Sequence, residues 1–259
     1  MNMHRHPFLK NPIPALTATA FLLVLLNLAG LAAKFHWNVA PDHGWVALFD
    51  LDRERNVPSV FSTGLILYCA ALLALMGRGT PGKNRLAWLG LACIFAFLAL
   101  DELVSLHERL IEPVRAGLHA SGIFYFAWLI PYGLAVVLLG LAYLRFLMGL
   151  PHSLRRTLIV SATVYLSGAV GLELLGGAYL ESLHDAHNLP YELLTTLEES
   201  LEMAGMIGLA RGLLRWERAL ARGDRGLRAA PTMTYLGRVN SFTEPAPSPR
   251  HKFPSAPGY

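Results

Sequence analysis

Apolar stretches of about 20 residues, separated by short polar connectors, recur along this sequence between residues 14 and 214. A helix of that length crosses a hydrocarbon layer about 30 Å thick. The composition agrees, because only 15% of the 259 residues are charged, against roughly 25% in soluble domains. The sequence therefore predicts an all-α, polytopic membrane protein and excludes an ordinary water-soluble globule.

The apolar stretches predict a bundle of six transmembrane helices. Their approximate bounds are 14–33, 58–76, 86 onward, 123–147, 158–183 and 193–214. The third stretch is apolar through Leu100 and then acidic, and we expect one helix that continues until Pro113 stops it. Residues 1–13 form a short cytoplasmic segment, and residues 215–259 form a basic, proline-rich cytoplasmic tail that we expect to be disordered.

Lysine and arginine predict the orientation of this bundle. With the amino terminus in the cytoplasm, most basic residues fall in the inner connectors and in the carboxy-terminal tail. The positive-inside rule then places both termini in the cytoplasm. Topology and attraction to anionic lipid account for the net charge of +4, so we expect the lipid bilayer, and not nucleic acid, as the partner of the basic surface.

Acidic residues collect on the opposite side of the predicted bundle. All but three of the 18 lie in outer loops or in the outer halves of spans. Counting from the arginines that mark the inner helix ends, Asp101, Glu173 and Glu199 lie about 24 to 26 Å up, and Glu202 about 20 Å up. A carboxylate that faces lipid costs about 2.5 to 3.5 kcal/mol. We therefore expect these side chains to turn inward, into a chamber that opens to the periplasm.

The spacing of these acids suggests a metal site. In the expected third helix, Asp101, Ser105 and Glu108 form one stripe at i, i+4 and i+7. Helix bundles hold paired iron or manganese with carboxylates three or four residues apart and one or two histidines. The candidate ligands, of which only some would contact the ion, are Asp101, Glu102, His107, Glu108, Glu173, Glu198, Glu199 and Glu202.

Three functions are compatible with such a chamber. The first is a membrane metalloenzyme in which iron, manganese or zinc activates water or oxygen near a small-molecule or lipid substrate. The second is a proton- or ion-coupled transporter, and the third is a structural protein whose glutamates hold helices together. No glycine-rich nucleotide-binding loop is present in the sequence, which argues against direct use of ATP.

The negative charge of carboxylates that lie close together in a low-dielectric site must be compensated. A bound metal ion, protons shared between carboxyls, or ion pairs with Lys34, Arg109 and Arg115 could supply this compensation. The mixed-charge loop 49–58 is either a lid over the chamber or a solvated connector. An aromatic belt at the outer membrane surface accounts for Trp37, Trp45, Tyr125 and Trp128.

Several motifs resemble those of a group of bacterial, six-span inner-membrane proteins with no known activity. They are Asn56-x-Pro58-x-x-Phe61-Ser62, Leu100-Asp101-Glu102, His107-Glu108, Gly171-x-Glu173-x-x-Gly176-Gly177 and Glu198-Glu199-x-x-Glu202-Met203. The resemblance covers about residues 14–214 and implies a bacterial inner membrane. It supplies no catalytic roles.

Overall fold

The computed structural model describes residues 11–42, 44–183 and 188–221, and in these ranges the chain is helical and contains no β-strand. Its α-helices are α1 (Ile13–Trp37), α2 (Gly44–Phe49), α3 (Val57–Gly79), α4 (Lys83–Val104), α5 (Ile111–Leu118), α6 (Leu129–Met148), α7 (His152–Leu166), α8 (Glu173–Leu183) and α9 (Leu189–Ala221). The predicted all-α class is therefore confirmed. Most of the predicted amino-terminal segment and of the basic tail lies outside the described residues, whereas residues 215–221 of the expected disordered tail belong to α9.

Five helical stretches of the described chain are long and apolar enough to cross a membrane. They are α1, α3, α4, α6 and the continuous stretch His152–Leu183, which contains α7 and α8. The predicted sixth span corresponds to α9, which has 33 residues but is too polar to belong to this apolar group. The five apolar helices indicate a membrane-embedded protein, whereas the sixth crossing stays a prediction.

The end of α4 differs from the prediction. The helix ends at Val104, because Ser105 takes up a left-handed backbone conformation with a φ of 51° and forms the C-cap. The chain turns and resumes in α5, where Pro113 lies in the first turn and its missing N–H has no helical partner to lose. The expected continuous helix to Pro113 is therefore wrong, and Asp101, Ser105 and Glu108 do not form one helical stripe.

The start of α6 also differs from the prediction. Residues 122–124 form a single 3₁₀ turn that begins at Gly122, whose φ is 63°. Helix α6 begins only at Leu129. Pro131 lies in the first turn of α6, where a proline is well tolerated. The apolar run from residue 123 is therefore longer than the helix that it forms.

Small residues join α7 closely to α9. An added methyl group at Gly205 would lie 2.8 Å from the Tyr165 backbone nitrogen and 2.9 Å from the Ser161 carbonyl oxygen. Gly212 likewise lies against Thr157. Small residues let helix backbones approach closely in a membrane, so these glycines set the distance between α7 and α9.

Polar side chains join the carboxy-terminal half of α1 to α9. The buried Asn27 amide donates to Thr196 Oγ1 at 2.8 Å, and Lys34 forms an ion pair with Glu192. Asn27 Oδ1 also accepts from the Leu51 backbone N–H at 3.0 Å, which fastens the loop between α2 and α3 to α1. These contacts hold α1, α9 and this loop together.

Candidate functional site

A cavity of about 550 Å³ lies inside the bundle. Its walls come from α4, α6, α7, α8 and α9, together with the loop before α3 and the turn after α4. All eight residues that the sequence singled out line it, namely Asp101, Glu102, His107, Glu108, Glu173, Glu198, Glu199 and Glu202. Side chains separated by up to 101 positions in the sequence thus share one space.

The lining of the cavity is strongly acidic. Asp52 and Glu54 join the seven predicted carboxyls, which makes nine acidic residues beside His107, and no lysine or arginine is among the described residues that line the cavity. The ion pairs considered with Lys34, Arg109 and Arg115 are not formed there. Arg109 and Arg115 donate to backbone carbonyl oxygens, and Lys34 pairs with a glutamate outside the lining.

The turn after α4 builds a hydrogen-bonded pair from Asp101 and His107. The His107 backbone N–H donates to Asp101 Oδ1 at 2.9 Å, and its ring Nδ1 lies 3.1 Å from Asp101 Oδ2. The Tyr132 hydroxyl, on α6, donates to Asp101 Oδ1 at 3.0 Å. With a proton on Nδ1, the imidazole donates to the carboxylate and leaves Nε2 free to accept.

The environment of His107 favours its protonated form. Burial lowers the pKa of the imidazole, but the hydrogen bond and the charge of Asp101 outweigh this effect and raise the pKa above 6.5. The charges of Glu108 and Glu173 act in the same direction. A histidine held in this way can accept and release a proton near neutral pH.

Trp128 belongs to the site, and its predicted place in an outer aromatic belt is wrong. The side chain is only 9% exposed, and its indole N–H donates to Glu173 Oε1 at 3.1 Å. The ring also packs against His107, with centroids 4.8 Å apart. Trp128 therefore orients Glu173 on one side and the imidazole on the other.

Glu173 follows an irregular turn that the sequence did not predict. Residues Ser167–Leu172 form a π-helical turn between α7 and α8, a feature that is frequent at functional sites. Within it, Gly168 approaches α9 so closely that a methyl group there would lie 2.6 Å from the Glu198 carbonyl oxygen. The turn brings Glu173 into side-chain hydrogen-bonding range of Glu198. Two carboxyls form such a bond only when one holds a proton.

A second group of carboxyls lies around α9 and α4. Glu102 and Glu199 are electrostatic neighbours of Glu202, and the Tyr165 side chain of α7 lies beside Glu202. Glu199 is half-buried and lines the cavity, and no described residue donates a hydrogen bond to it. Carboxyls that share a cavity without donors require compensation by a proton or a ligand cation.

The loop before α3 closes one side of this space. Asn56 caps α3 through a reciprocal pair of hydrogen bonds with Ser59, and this holds Asp52 and Glu54 against the cavity. Loop 49–58 thus borders the cavity, whereas Asp52 and Arg55 are also exposed, and its role as a lid or as a solvated connector stays a prediction. Loss of hydration, reinforced by the charges of Glu192 and Asp50, raises the pKa of Asp52 to about 7.

Glu54 faces a similar environment. Burial, followed by the charge of Glu108, raises its pKa above 4.5. Its Oε2 atom is buried without a hydrogen-bond partner in the described part of the chain. This orphaned acceptor marks a place where the protein does not satisfy the charge of its own cavity.

The expected metal ligands line one cavity, but they are not arranged as a coordination shell. Within residues 11–42, 44–183 and 188–221, no group of three or more histidine, cysteine, aspartate or glutamate side chains is close enough to hold a metal ion. The position of the His107 ring resembles that of metal-binding histidines, which commonly donate their second ring nitrogen to a carboxylate. Metal binding therefore stays a prediction.

One family model covers all the residues of this site. No curated protein and no solved structure matches the chain. A family model described as a domain of unknown function, DUF8692, matches residues 15–216, which include α3 to α8, most of α1 and α9, and every acidic residue of the cavity. The chain therefore belongs to the DUF8692 family.

Proposed function

We propose that this protein is a proton-coupled transporter of cations. It spans the bacterial inner membrane six times, with both termini in the cytoplasm, and α9 is the sixth span. The substrate cation binds in the acidic cavity and exchanges with protons held by the same carboxyls. The single observation that carries the proposal is a lining of nine carboxyl groups that contains no lysine or arginine among the described residues.

The charge of the lining supports a cation as the bound species. Nine carboxyls in one cavity repel each other and cannot all ionise without positive charge nearby. Among the described residues, His107 is the one basic side chain in this lining. Protons and substrate cations therefore compete for the same carboxylates, and this competition is the physical basis of proton coupling.

Two hydrogen-bonded pairs provide the proton-exchanging groups. The Asp101–His107 pair presents Nε2 as the free nitrogen, and the Glu173–Glu198 pair shares a proton between carboxyls. Trp128 contacts both His107 and Glu173. Binding of a cation near Glu173 favours loss of the shared proton, because positive charge stabilises the ionised carboxylate.

The structural alternative receives less support from the contacts. Helix-joining polar contacts are present, but the Lys34–Glu192 and Asn27–Thr196 pairs make them outside the cavity. By contrast, Glu199 has no hydrogen-bond donor in the described chain. A carboxyl that only stabilised helix packing would be satisfied by its neighbours.

A flux assay tests the transporter proposal. Protein is reconstituted into liposomes that contain a pH-sensitive dye, and gradients of inorganic and permanently charged organic cations are applied in turn. We expect proton movement opposite to at least one cation, and its loss in Glu173→Gln. Glu181→Gln, which alters an exposed acid outside the lining, is the matched control. If no cation in the panel drives proton movement dependent on Glu173, the proposal fails.

A divalent-metal enzyme is the second candidate function, and the orientation of His107 by Asp101 favours it. Elemental analysis of protein purified without chelators separates the two. Stoichiometric iron, manganese or zinc that is lost in His107→Gln would support the enzyme. Protein that neither carries nor takes up these ions removes it.

A further inference from the structure

Helix α6 is attached to the bundle near its two ends. Near its outer end, the Tyr132 hydroxyl donates to Asp101 Oδ1 at 3.0 Å. Toward its inner end, the Tyr143 hydroxyl donates to the Ala87 carbonyl oxygen at 3.2 Å, and a methyl group at Gly90 would overlap that hydroxyl. The two tyrosines are 11 positions apart, which corresponds to about 16 Å along a helix.

Between these attachments, α6 stands away from the other helices. Only 6% of its apolar window is buried, against 50% for α3. The space behind it is the lower part of the cavity, whose walls are mainly apolar. Residues that line this part include Phe95 and Leu98 on α4, Val136 and Leu139 on α6, and Leu158 on α7.

The cavity thus has two chemically different ends. The carboxyls and Tyr132 lie at the outer end, and Leu147 lines it at the inner end of α6. The distance along α6 from Tyr132 to Leu147 is about 22 Å, a large part of the hydrocarbon thickness of about 30 Å. A small hydrated ion would use only the outer end, whereas the apolar walls fit an alkyl chain.

We infer that the substrate is an amphipathic organic cation, with an ammonium-type head group among the carboxyls and an alkyl chain along α6. This inference rests on the proposed function and narrows its cation to one chemical class. Glu54, whose Oε2 has no hydrogen-bond partner in the described chain, and Glu199, whose carboxyl has no donor there, supply uncompensated negative charge that attracts the head group. An anionic amphiphile would be repelled by the same carboxyls.

Equilibrium binding to protein in nanodiscs tests this inference independently of transport. The probe is radiolabelled dodecyltrimethylammonium below its micellar concentration, with empty nanodiscs as background. Unlabelled competitors are dodecyltrimethylammonium, tetramethylammonium with the same head group, and dodecanol and dodecyl sulfate with the same chain length. We expect only the long-chain cation to displace the probe effectively. The affinities of the other three should be lower by about tenfold or more, because tetramethylammonium lacks the alkyl chain and the other two lack the positive charge.

Variants separate the two ends of the cavity. Glu199→Gln with Glu202→Gln should weaken binding of the probe about tenfold by removing charge, with Glu181→Gln as the control. Leu139→Trp should block the apolar half without a change of charge. Leu138→Trp is its control, because the adjacent Leu138 is 56% exposed and does not line the cavity.

The outcomes distinguish this inference from the proposed function. Equal displacement by dodecanol and dodecyltrimethylammonium, or by tetramethylammonium and dodecyltrimethylammonium, overturns the inference even if proton-coupled flux of a small cation is observed. Selective binding of the long-chain cation without any proton movement keeps the inference and refutes the transporter. The competitor series uses the unaltered protein, so it decides the matter even if a variant does not fold.

Discussion

His107 Nδ1 lies 3.1 Å from Asp101 Oδ2, across a turn that also brings the His107 backbone N–H to the other oxygen of the same carboxylate. One aspartate thus shapes the backbone after α4 and orients the imidazole. Asp101 is the neighbour that most favours the protonated form of His107, and the charges of Glu108 and Glu173 add to its effect. Because the folded-state pKa is raised, the imidazolium stabilises the folded protein below pH about 6.5, and this stabilisation is lost as the pH rises through the folded-state pKa.

Asp101→Asn should lower the pKa of His107 to below its ordinary value of 6.5. The amide carries no charge, so burial becomes the dominant influence and disfavours the imidazolium. NMR titration of protein with labelled histidine measures the change, and His107→Gln identifies the resonance. A pKa that stays raised in Asp101→Asn would contradict this prediction and would point to Glu108 and Glu173 as the controlling charges.

Asp52→Asn should flatten the dependence of thermal stability on pH. The pKa of Asp52 is raised from 3.8 to about 7, so its protonated carboxyl favours the folded state. That contribution is complete below about pH 4 and is lost as the pH rises through about 7. The measurement is the melting temperature in detergent from about pH 4 to about pH 8, compared with the unaltered protein. Glu181→Gln should follow the unaltered protein, and an equally steep curve for Asp52→Asn would disprove the assignment.

Gly205→Ala should destabilise the bundle by about 1 to 3 kcal/mol, the usual range for overpacking. The new methyl group would meet backbone atoms of Ser161 and Tyr165, which cannot rotate away. Gly140→Ala is the matched control, because nothing lies within 4 Å of that position on α6 and alanine favours a helix by about 1 kcal/mol. Unfolding in mixed micelles gives both values. Similar stabilities for the two variants would show that α7 and α9 do not depend on this close approach.

The apolar lengths in the sequence predicted the helices well where connectors are short. The expected stretch 58–76 appears as Val57–Gly79, with Asn56 capping it, because an apolar run and a capping residue are local signals. The end of α4 was missed for a physical reason. Ser105 is left-handed where the Asp101 side chain binds the His107 backbone, and no apolar periodicity reports such a contact.

The candidate site shows the same division. Counting residues along each predicted helix placed the acids of separate spans at a similar depth in the membrane. In the structure these acids line one cavity. Asp52 and Glu54 were missing from the predicted site. They reach the cavity from a loop, so no helical spacing pointed to them. Trp128 was assigned to the membrane surface from general aromatic preference, whereas its contact with Glu173 joins residues 45 positions apart.

Lys34→Met should destabilise the protein by about 3 to 5 kcal/mol, because it leaves a buried glutamate without its partner. Glu192 is only 2% exposed and Lys34 only 15%, and the pair joins α1 to α9. The double variant Lys34→Met with Glu192→Gln should recover much of the loss, since no uncompensated charge stays buried. Glu112→Gln, in a pair whose acid is 82% exposed, should cost less than about 1 kcal/mol. Equal losses for Lys34→Met and Glu112→Gln would mean that water reaches Glu192, and the contact between α1 and α9 would then depend on Asn27 and Thr196 instead.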